Sequence, residues 1–226
     1  MEGGVKDWIG NGNTAIGVLG QTFNPDNVRE DNDFYATPPL ATELLLELEE
    51  LSHDVWEPCC GQGHIGKVLE ANGHNVKATD LVDRGYGTGG VDFLACTEPF
   101  DGDIVTNPPY AFATECAYKA LELVPAGRKV CMFLKIQFLE TLQRYELFKQ
   151  HPPRTVYVAV KRLRCSKNGS FQQEGMVCYC WFVWVKGYTG SPEIKWFNYE
   201  PRETAYPELL NIGAPEDTTR TYPKFF

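Results

Sequence analysis

Short apolar runs alternate with helical periodicities from His53 to Gln150, and this alternation constrains the fold of the 226-residue chain more than any other feature. His53 to Glu57 reads as a strand running into a glycine loop, and Ile65 to Asn72 as a helix. Val76 to Asp80 and Asp103 to Thr106 are strand-like, and Ala111 to Leu123 is helical. Lys129 to Lys135 (KVCMFLK) reads as a buried strand, and Phe138 to Gln150 as an amphipathic helix. Strands separated by helices build right-handed βαβ crossovers and hence a mainly parallel sheet. Then the alternation stops. Thr155 to Val160 and Met176 to Val185 are both strand-like, with only a polar, glycine-containing linker between them. Without an intervening helix they pair antiparallel, as a long-looped hairpin.

The flanks are less patterned. Residues 1–30 are rich in Gly and Asn without a period and read as an N-terminal arm. A helix begins near Thr37, which serves as its N-cap; Pro38 follows, and Leu40, Leu44, Leu48 and Leu51 recur at helical spacing. From Thr189 on, the chain is Pro-rich and reads as a tail packed on the outside. The expected division is an arm (1–30), a single domain (31–188) and a C-terminal tail (189–226), with 161–175 as a candidate substrate-recognition loop.

A chain that is 43% hydrophobic and 13% aromatic is folded, not disordered. It contains no apolar run near the ~20 residues of a membrane span, and MEGGVKDW does not resemble a signal peptide. A cytoplasmic protein without a membrane partner is expected. Its eight cysteines form no CxxC pair and only four histidines accompany them, so no metal site is expected and the thiols read as reduced and mostly buried. The net charge of −9 opposes phosphate binding, which rests on Lys and Arg. Distribution offsets this. From Leu147 to Gln173 there is no acidic residue, whereas Lys149, Arg154, Lys161, Arg162, Arg164 and Lys167 are basic.

Two motifs carry chemistry. The first, Glu57-Pro58-Cys59-Cys60-Gly61-Gln62-Gly63, lies between a strand and a helix, where glycines let the backbone approach a ligand and the helix start offers free N–H groups. Asp80 ends the next strand, where a carboxylate can accept both hydroxyls of an adenosine ribose. Gly61, Gly63 and Gly66 also satisfy GxGxxG, so the segment alone admits a nicotinamide cofactor or a plain tight turn. Charge favours a different ligand. Glu57 stands where a pyrophosphate would lie, and Glu57, Asp80 and Asp92 converging at strand ends suit a cationic sulfonium, S-adenosylmethionine.

The second motif, Asn107-Pro108-Pro109-Tyr110, directly follows the strand Asp103 to Thr106. An adenine amino nitrogen is a poor nucleophile because its lone pair is delocalised into the ring. The Asn107 side-chain oxygen and the Pro108 carbonyl can each accept one of its N–H bonds and free the lone pair to attack a methyl group. Consecutive prolines fix the backbone, and Tyr110 offers a face on which a flipped base can stack.

The order of these motifs resembles the amino-methyltransferases, especially phage- and prophage-type DNA N6-adenine methyltransferases. The matching residues are DFYATP (33–38), EPCCGQG (57–63), TDLVDRGYG (79–87), VDFL (91–94), DIVTNPPY (103–110) and KIQFLE (135–140), so the likeness covers about residues 30–188. It implies the class I methyltransferase (Rossmann-like) fold, a mainly parallel seven-stranded sheet with an antiparallel last strand and helices on both faces. It further implies that Tyr35 and Thr37 contact the methionine part of the cofactor. Glu57, Pro58, Cys60, Gly61 and Gly63 border it, Asp80 binds the ribose, and Asp92 with Phe93 holds the adenine. Asn107, Pro108 and Tyr110 are then catalytic. Phe171 is either a second stacking aromatic or a loop anchor, and Lys161, Arg162, Arg164 and Lys167 either meet phosphates or form a solvated loop. The implied reaction forms N6-methyladenine in DNA, in a bacterial or phage-infected cell. Methylation of an RNA base amine or a protein glutamine amide, or a non-catalytic cofactor- or DNA-binding module, are the alternatives. One departure from the pattern stands out: no room exists between the glycine motif and NPPY for a target-recognition domain.

Overall fold

The computed structural model describes residues 35–163, 171, 177–199 and 202–212. The N-terminal arm, Arg164, Lys167 and most of the 161–175 loop lie outside these residues.

Seven strands form one sheet: β1 (Asp54–Glu57), β2 (Asn75–Ala78), β3 (Asp103–Thr106), β4 (Lys129–Lys135), β5 (Thr155–Ala159), β6 (Tyr179–Val185) and β7 (Glu193–Phe197). Their order is β2-β1-β3-β4-β6-β5-β7. Neighbours pair parallel except at β6, which runs antiparallel to both β4 and β5. The hairpin expected from Thr155–Val160 and Met176–Val185 is therefore present as β5 and β6. Among the described residues, four α-helices complete the framework: α1 (Pro39–Leu48), α2 (Gly66–Ala71), α3 (Ala113–Leu123) and α4 (Leu142–Gln150).

Period-two alternation in the central strands divides the core into two layers. Val130, Met132 and Leu134 of β4, with Phe182 and Trp184 of β6, pack against Ala117, Leu121 and Leu147 from α3 and α4. Cys131 and Phe133, with Trp181 and Val183, pack on the other face against Ala41, Leu45 and Leu69 from α1 and α2. Both central strands are thus apolar on both faces, the signature of a sheet covered by helices on each side. Burying the indoles leaves polar N–H groups to satisfy. Trp56 donates to Thr79 Oγ1 at 2.9 Å, Trp181 to the Ala41 carbonyl at 2.7 Å and Trp184 to the His151 carbonyl at 3.0 Å. The buried Glu49 carboxylate, just past α1, pairs with Lys129 and Arg154 and accepts from the Tyr157 hydroxyl. Those contacts tie α1 to the far half of the sheet and hold the Glu49 pKa below its usual value despite burial.

Three expectations need correction. Thr37 does not cap α1: Pro38 holds the cap position without a side-chain bond, and the Thr37 hydroxyl instead accepts from Asn107 Nδ2 at 3.0 Å. The helix expected over Phe138–Gln150 is broken. Ile136–Leu139 forms a 3-10 turn, Thr141 adopts φ 88°, and α4 starts only at Leu142. The β-branched Thr141 is strongly disfavoured there, so a helix cannot run through it. Finally, Glu193–Phe197 within the tail is a strand. It adds to β5 at the sheet edge, where only Phe197 is buried and no apolar alternation marks it in the sequence.

Beyond β7 the chain meets α1 and the end of α2. Arg202 pairs with Glu43 and Glu47 of α1, and the Thr204 hydroxyl donates to Glu43. Asn72 donates to the Tyr206 hydroxyl at 2.9 Å, and Leu209 is buried. No described helix is long and apolar enough to cross a membrane.

Candidate active site

The chain moves from β1 outward to β2 and then crosses to β3 on the opposite side of β1, so strand order reverses between β1 and β3. Crevices form at such reversals, beyond the carboxyl ends of the strands. A cavity of about 580 Å³ lies there. Its wall includes Tyr35 and Thr37 ahead of α1, Glu57, Pro58 and Cys60 after β1, Asp80 after β2, Asp92 and Phe93 of the next loop, and Asn107 after β3. Nine residues singled out in the sequence, scattered over more than 70 positions, thus share one wall.

Asp80 organises the adjoining loops. Its Oδ2 accepts from the Gly61 N–H at 2.7 Å, and its Oδ1 from the Val82 N–H at 2.9 Å and Arg84 Nη1 at 3.1 Å. One carboxylate therefore fixes the glycine loop to the β2 loop and carries its own counter-charge. Asp92 accepts from the Leu94 N–H at 3.0 Å and so caps the short turn that sets Phe93 edge-on to Trp56, with ring centroids 5.3 Å apart.

Asn107 is held from one side. Its Nδ2 donates to the Tyr35 carbonyl at 2.8 Å and to Thr37 Oγ1. A carbonyl can only accept, so the amide nitrogen must face Tyr35, which turns Oδ1 the other way. Asn107 Oδ1 is buried with no hydrogen-bond partner; so are Glu57 Oε2 and His64 Nε2 in the same wall. Buried acceptors without donors cost about 1–3 kcal/mol each, and their gathering around one cavity marks a site built for a ligand carrying N–H or O–H groups.

Glu57 is the most strongly perturbed acid in the cavity wall. Burial, reinforced by Asp80 and Glu70, raises its pKa well above 4.5, against the opposing pull of the Gly66 backbone. The folded protein keeps this carboxyl neutral at pH values where the unfolded chain ionises it. Stability from this group is therefore complete below pH 4.5 and falls as pH rises towards the folded pKa. Glu57→Gln should reverse that loss, widening its stability advantage over wild type by about 1.4 kcal/mol per pH unit across that window. Thermal melts at pH 5, 6 and 7 measure the slope, and parallel curves would disprove the neutral carboxyl.

Gly61 and Gly63 are not in the cavity wall. Gly63, at φ 84°, makes room for the Tyr86 ring, which lies 2.5 Å from where a Cβ would stand; the Tyr86 hydroxyl similarly occupies the Cβ position of Gly66. Tyr86 donates to Glu70 at 3.0 Å and locks this packing. Cys60 Sγ approaches the Tyr86 carbonyl at 3.3 Å, and burial with the nearby Glu57 raises its pKa to about 12.

Pro108 is likewise absent from the wall, where Pro109 stands instead. The Tyr110 ring stacks on Tyr35 at 5.4 Å, shares a 3.0 Å hydroxyl contact with Tyr179 and has Lys135 Nζ 4.3 Å from its centroid. Phe171 packs not beside Tyr110 but against His64, at 5.7 Å between ring centroids. Within the basic stretch, Arg154 and Lys149 are engaged by Glu49 and Glu146. Lys161 and Arg162 are described and exposed, and the Arg162 carbonyl accepts from the Tyr199 hydroxyl at 3.2 Å. Several wall residues escaped the sequence reading: His64, Ile65, Leu81, Val82, Arg84 and Phe112. Position relative to Asp80 could have located Leu81 to Arg84; nothing in the pattern marks His64. Among the described residues, no group of three or more His, Cys, Asp or Glu is disposed to hold a metal ion.

No protein-family model matches the chain, and no curated protein matches it. Solved structures match in fold. One, from Listeria monocytogenes and named as a class I S-adenosylmethionine-dependent methyltransferase, has a TM-score of 0.52 at 13% identity, over 77% of this chain and 68% of that one. Another, from Vibrio vulnificus and named as a modification subunit of a type I restriction enzyme, has a TM-score of 0.51 at 12% identity, over 76% of this chain but only 49% of that one. The chain has the class I, Rossmann-like methyltransferase fold.

Proposed function

We propose that this protein is an S-adenosylmethionine-dependent methyltransferase acting on the exocyclic amine of adenine in DNA. The observation that carries the reading is the Asn107 amide, whose nitrogen is anchored by Tyr35 and Thr37 while its oxygen, in the wall of the cavity, has no partner. An aminated ring presents the donor that oxygen lacks.

The residues fit the cofactor. Asp80 and Asp92 offer acceptors to ribose hydroxyls and adenine, Phe93 offers an apolar edge, and Tyr35 and Thr37 border the end nearest Asn107. The bound cofactor supplies an electrophilic methyl group on a sulfonium. Asn107 Oδ1 and the Pro108 carbonyl would accept the two N–H bonds of the target amine and draw its nitrogen from planar towards tetrahedral. The lone pair then points at the methyl group, and the methylated nitrogen sheds one proton to water. Fixed acceptors need no reorganisation during the reaction, so the site requires no strong base. Tyr110 would receive one face of the flipped base. The chain carries 30 acidic residues against 21 Lys and Arg, and Lys135, Lys161 and Arg162 are among the described candidates for holding phosphates.

The test uses purified protein and tritiated S-adenosylmethionine, with unmethylated duplex DNA, single-stranded DNA, RNA and a protein extract offered in parallel. Label recovered as N6-methyladenine in DNA is expected. Label in RNA or protein alone would overturn the DNA assignment and keep the chemistry, and no transfer to any acceptor would overturn the reaction itself.

A further inference from the structure

His64 lines the cavity and is 3% exposed, yet its Nε2 has no hydrogen-bond partner. A neutral imidazole can adopt either tautomer, and the Nδ1–H form leaves Nε2 with a lone pair and no proton. Burial and the nearby Lys67 lower the His64 pKa to about 4, so the ring stays neutral at physiological pH. Phe171 covers part of the ring and limits its rotation.

A buried, unpartnered ring nitrogen in the cavity wall calls for a polar group on the ligand, and an N–H or O–H donor fits its lone pair. Resting on the cofactor reading above, three donor groups are available: the adenine amine, the ribose hydroxyls and the α-ammonium of the methionine end. The Asp92–Phe93 loop and Asp80 account for the first two. Glu57, whose buried carboxyl is held neutral, brings no negative charge to draw the third. We infer that His64 Nε2 accepts a hydrogen bond from the α-ammonium of the bound cofactor. A neutral imidazole suits this role because it receives a cationic donor without charge repulsion, and such charge-assisted bonds are short and strong.

Calorimetry with S-adenosylhomocysteine and its desamino analogue, which keeps the adenosine, sulfur and carboxylate but lacks the ammonium, isolates the contact. Wild type should bind the intact compound more tightly than the analogue by about 10- to 100-fold. His64→Ala should lose that preference and bind the analogue as wild type does. A variant that keeps the preference, or loses affinity for both compounds equally, would overturn the inference. Nitrogen NMR of the wild-type imidazole reads the same contact without substitution: the Nε2 resonance should move with S-adenosylhomocysteine and stay with the analogue. Equal movement with both would also overturn it. A wild type that binds neither compound would overturn the cofactor reading along with the inference, whereas loss confined to the preference leaves that reading standing.

Discussion

Asn107→Ala should reduce methyl transfer by about 10²- to 10³-fold, the cost of losing one preorganised polar group at a reacting centre. Affinity for S-adenosylmethionine should change only a few-fold, because the proposed contacts of Asn107 are to the target amine and not to the adenosine. The substitution also frees the Tyr35 carbonyl and the Thr37 hydroxyl, which Asn107 Nδ2 now satisfies. Some loss of thermal stability is therefore expected, and it must be measured separately. Asn107→Asp makes a useful companion. It keeps an acceptor towards the cavity but sets a second oxygen against the Tyr35 carbonyl, so it should be less stable than wild type and still slow. Single-turnover rates at saturating cofactor, beside calorimetric affinities, separate the two effects. If Asn107→Ala transferred methyl groups at the wild-type rate, the catalytic role would be lost.

The second large effect concerns Asp80. Asp80→Ala removes acceptors for Gly61, Val82 and Arg84 together and deprives the proposed ribose site of its carboxylate, so cofactor affinity should fall by about 100-fold or more. Asp80→Asn is the sharper test. An amide oxygen can still accept from Val82 and Arg84, but its nitrogen then faces the Gly61 N–H, donor against donor. The near-isosteric change should thus weaken binding nearly as much as truncation does. A variant that bound S-adenosylmethionine normally would refute the ribose role and leave Asp80 as a loop tie alone.

How much of this is legible in the chain depends on whether a residue's neighbours in sequence are also its neighbours in space. Glu57, Asp80 and Asn107 are polar residues ending or directly following apolar strands, so pattern alone places them at the rim of a sheet, and they do meet. The double-sided core was readable for a similar reason, since KVCMFLK and YCWFVWV are apolar at every alternate position on both faces. Strand β7 was not. Its Ile194 and Trp196 are exposed at 49% and 68%, so no burial pattern distinguishes it from a tail. Thr37 misled because a hydroxyl before two prolines fits a helix cap, and only the distant Asn107 shows where it is used. His64 was invisible because no periodicity marks it, and only the folded cavity wall shows where its ring lies. Tyr86 had a local hint, a large ring between two glycines, yet the glycines it fills are those of a different loop.

The return of the chain from β7 to α1 has a consequence for order of assembly. Contacts from Arg202, Thr204 and Ala205 to α1 span 155–162 residues, and that from Tyr206 to Asn72 spans 134. Closing such long loops is slow, because their entropy must be lost before any contact rewards it. The sheet contains all its strands without this segment, and none of the segment's residues lines the cavity. The strands can therefore pair before the segment docks on α1 and Asn72. Local release of residues 202–212 would bare the Glu43 carboxylate and leave sheet and cavity in place.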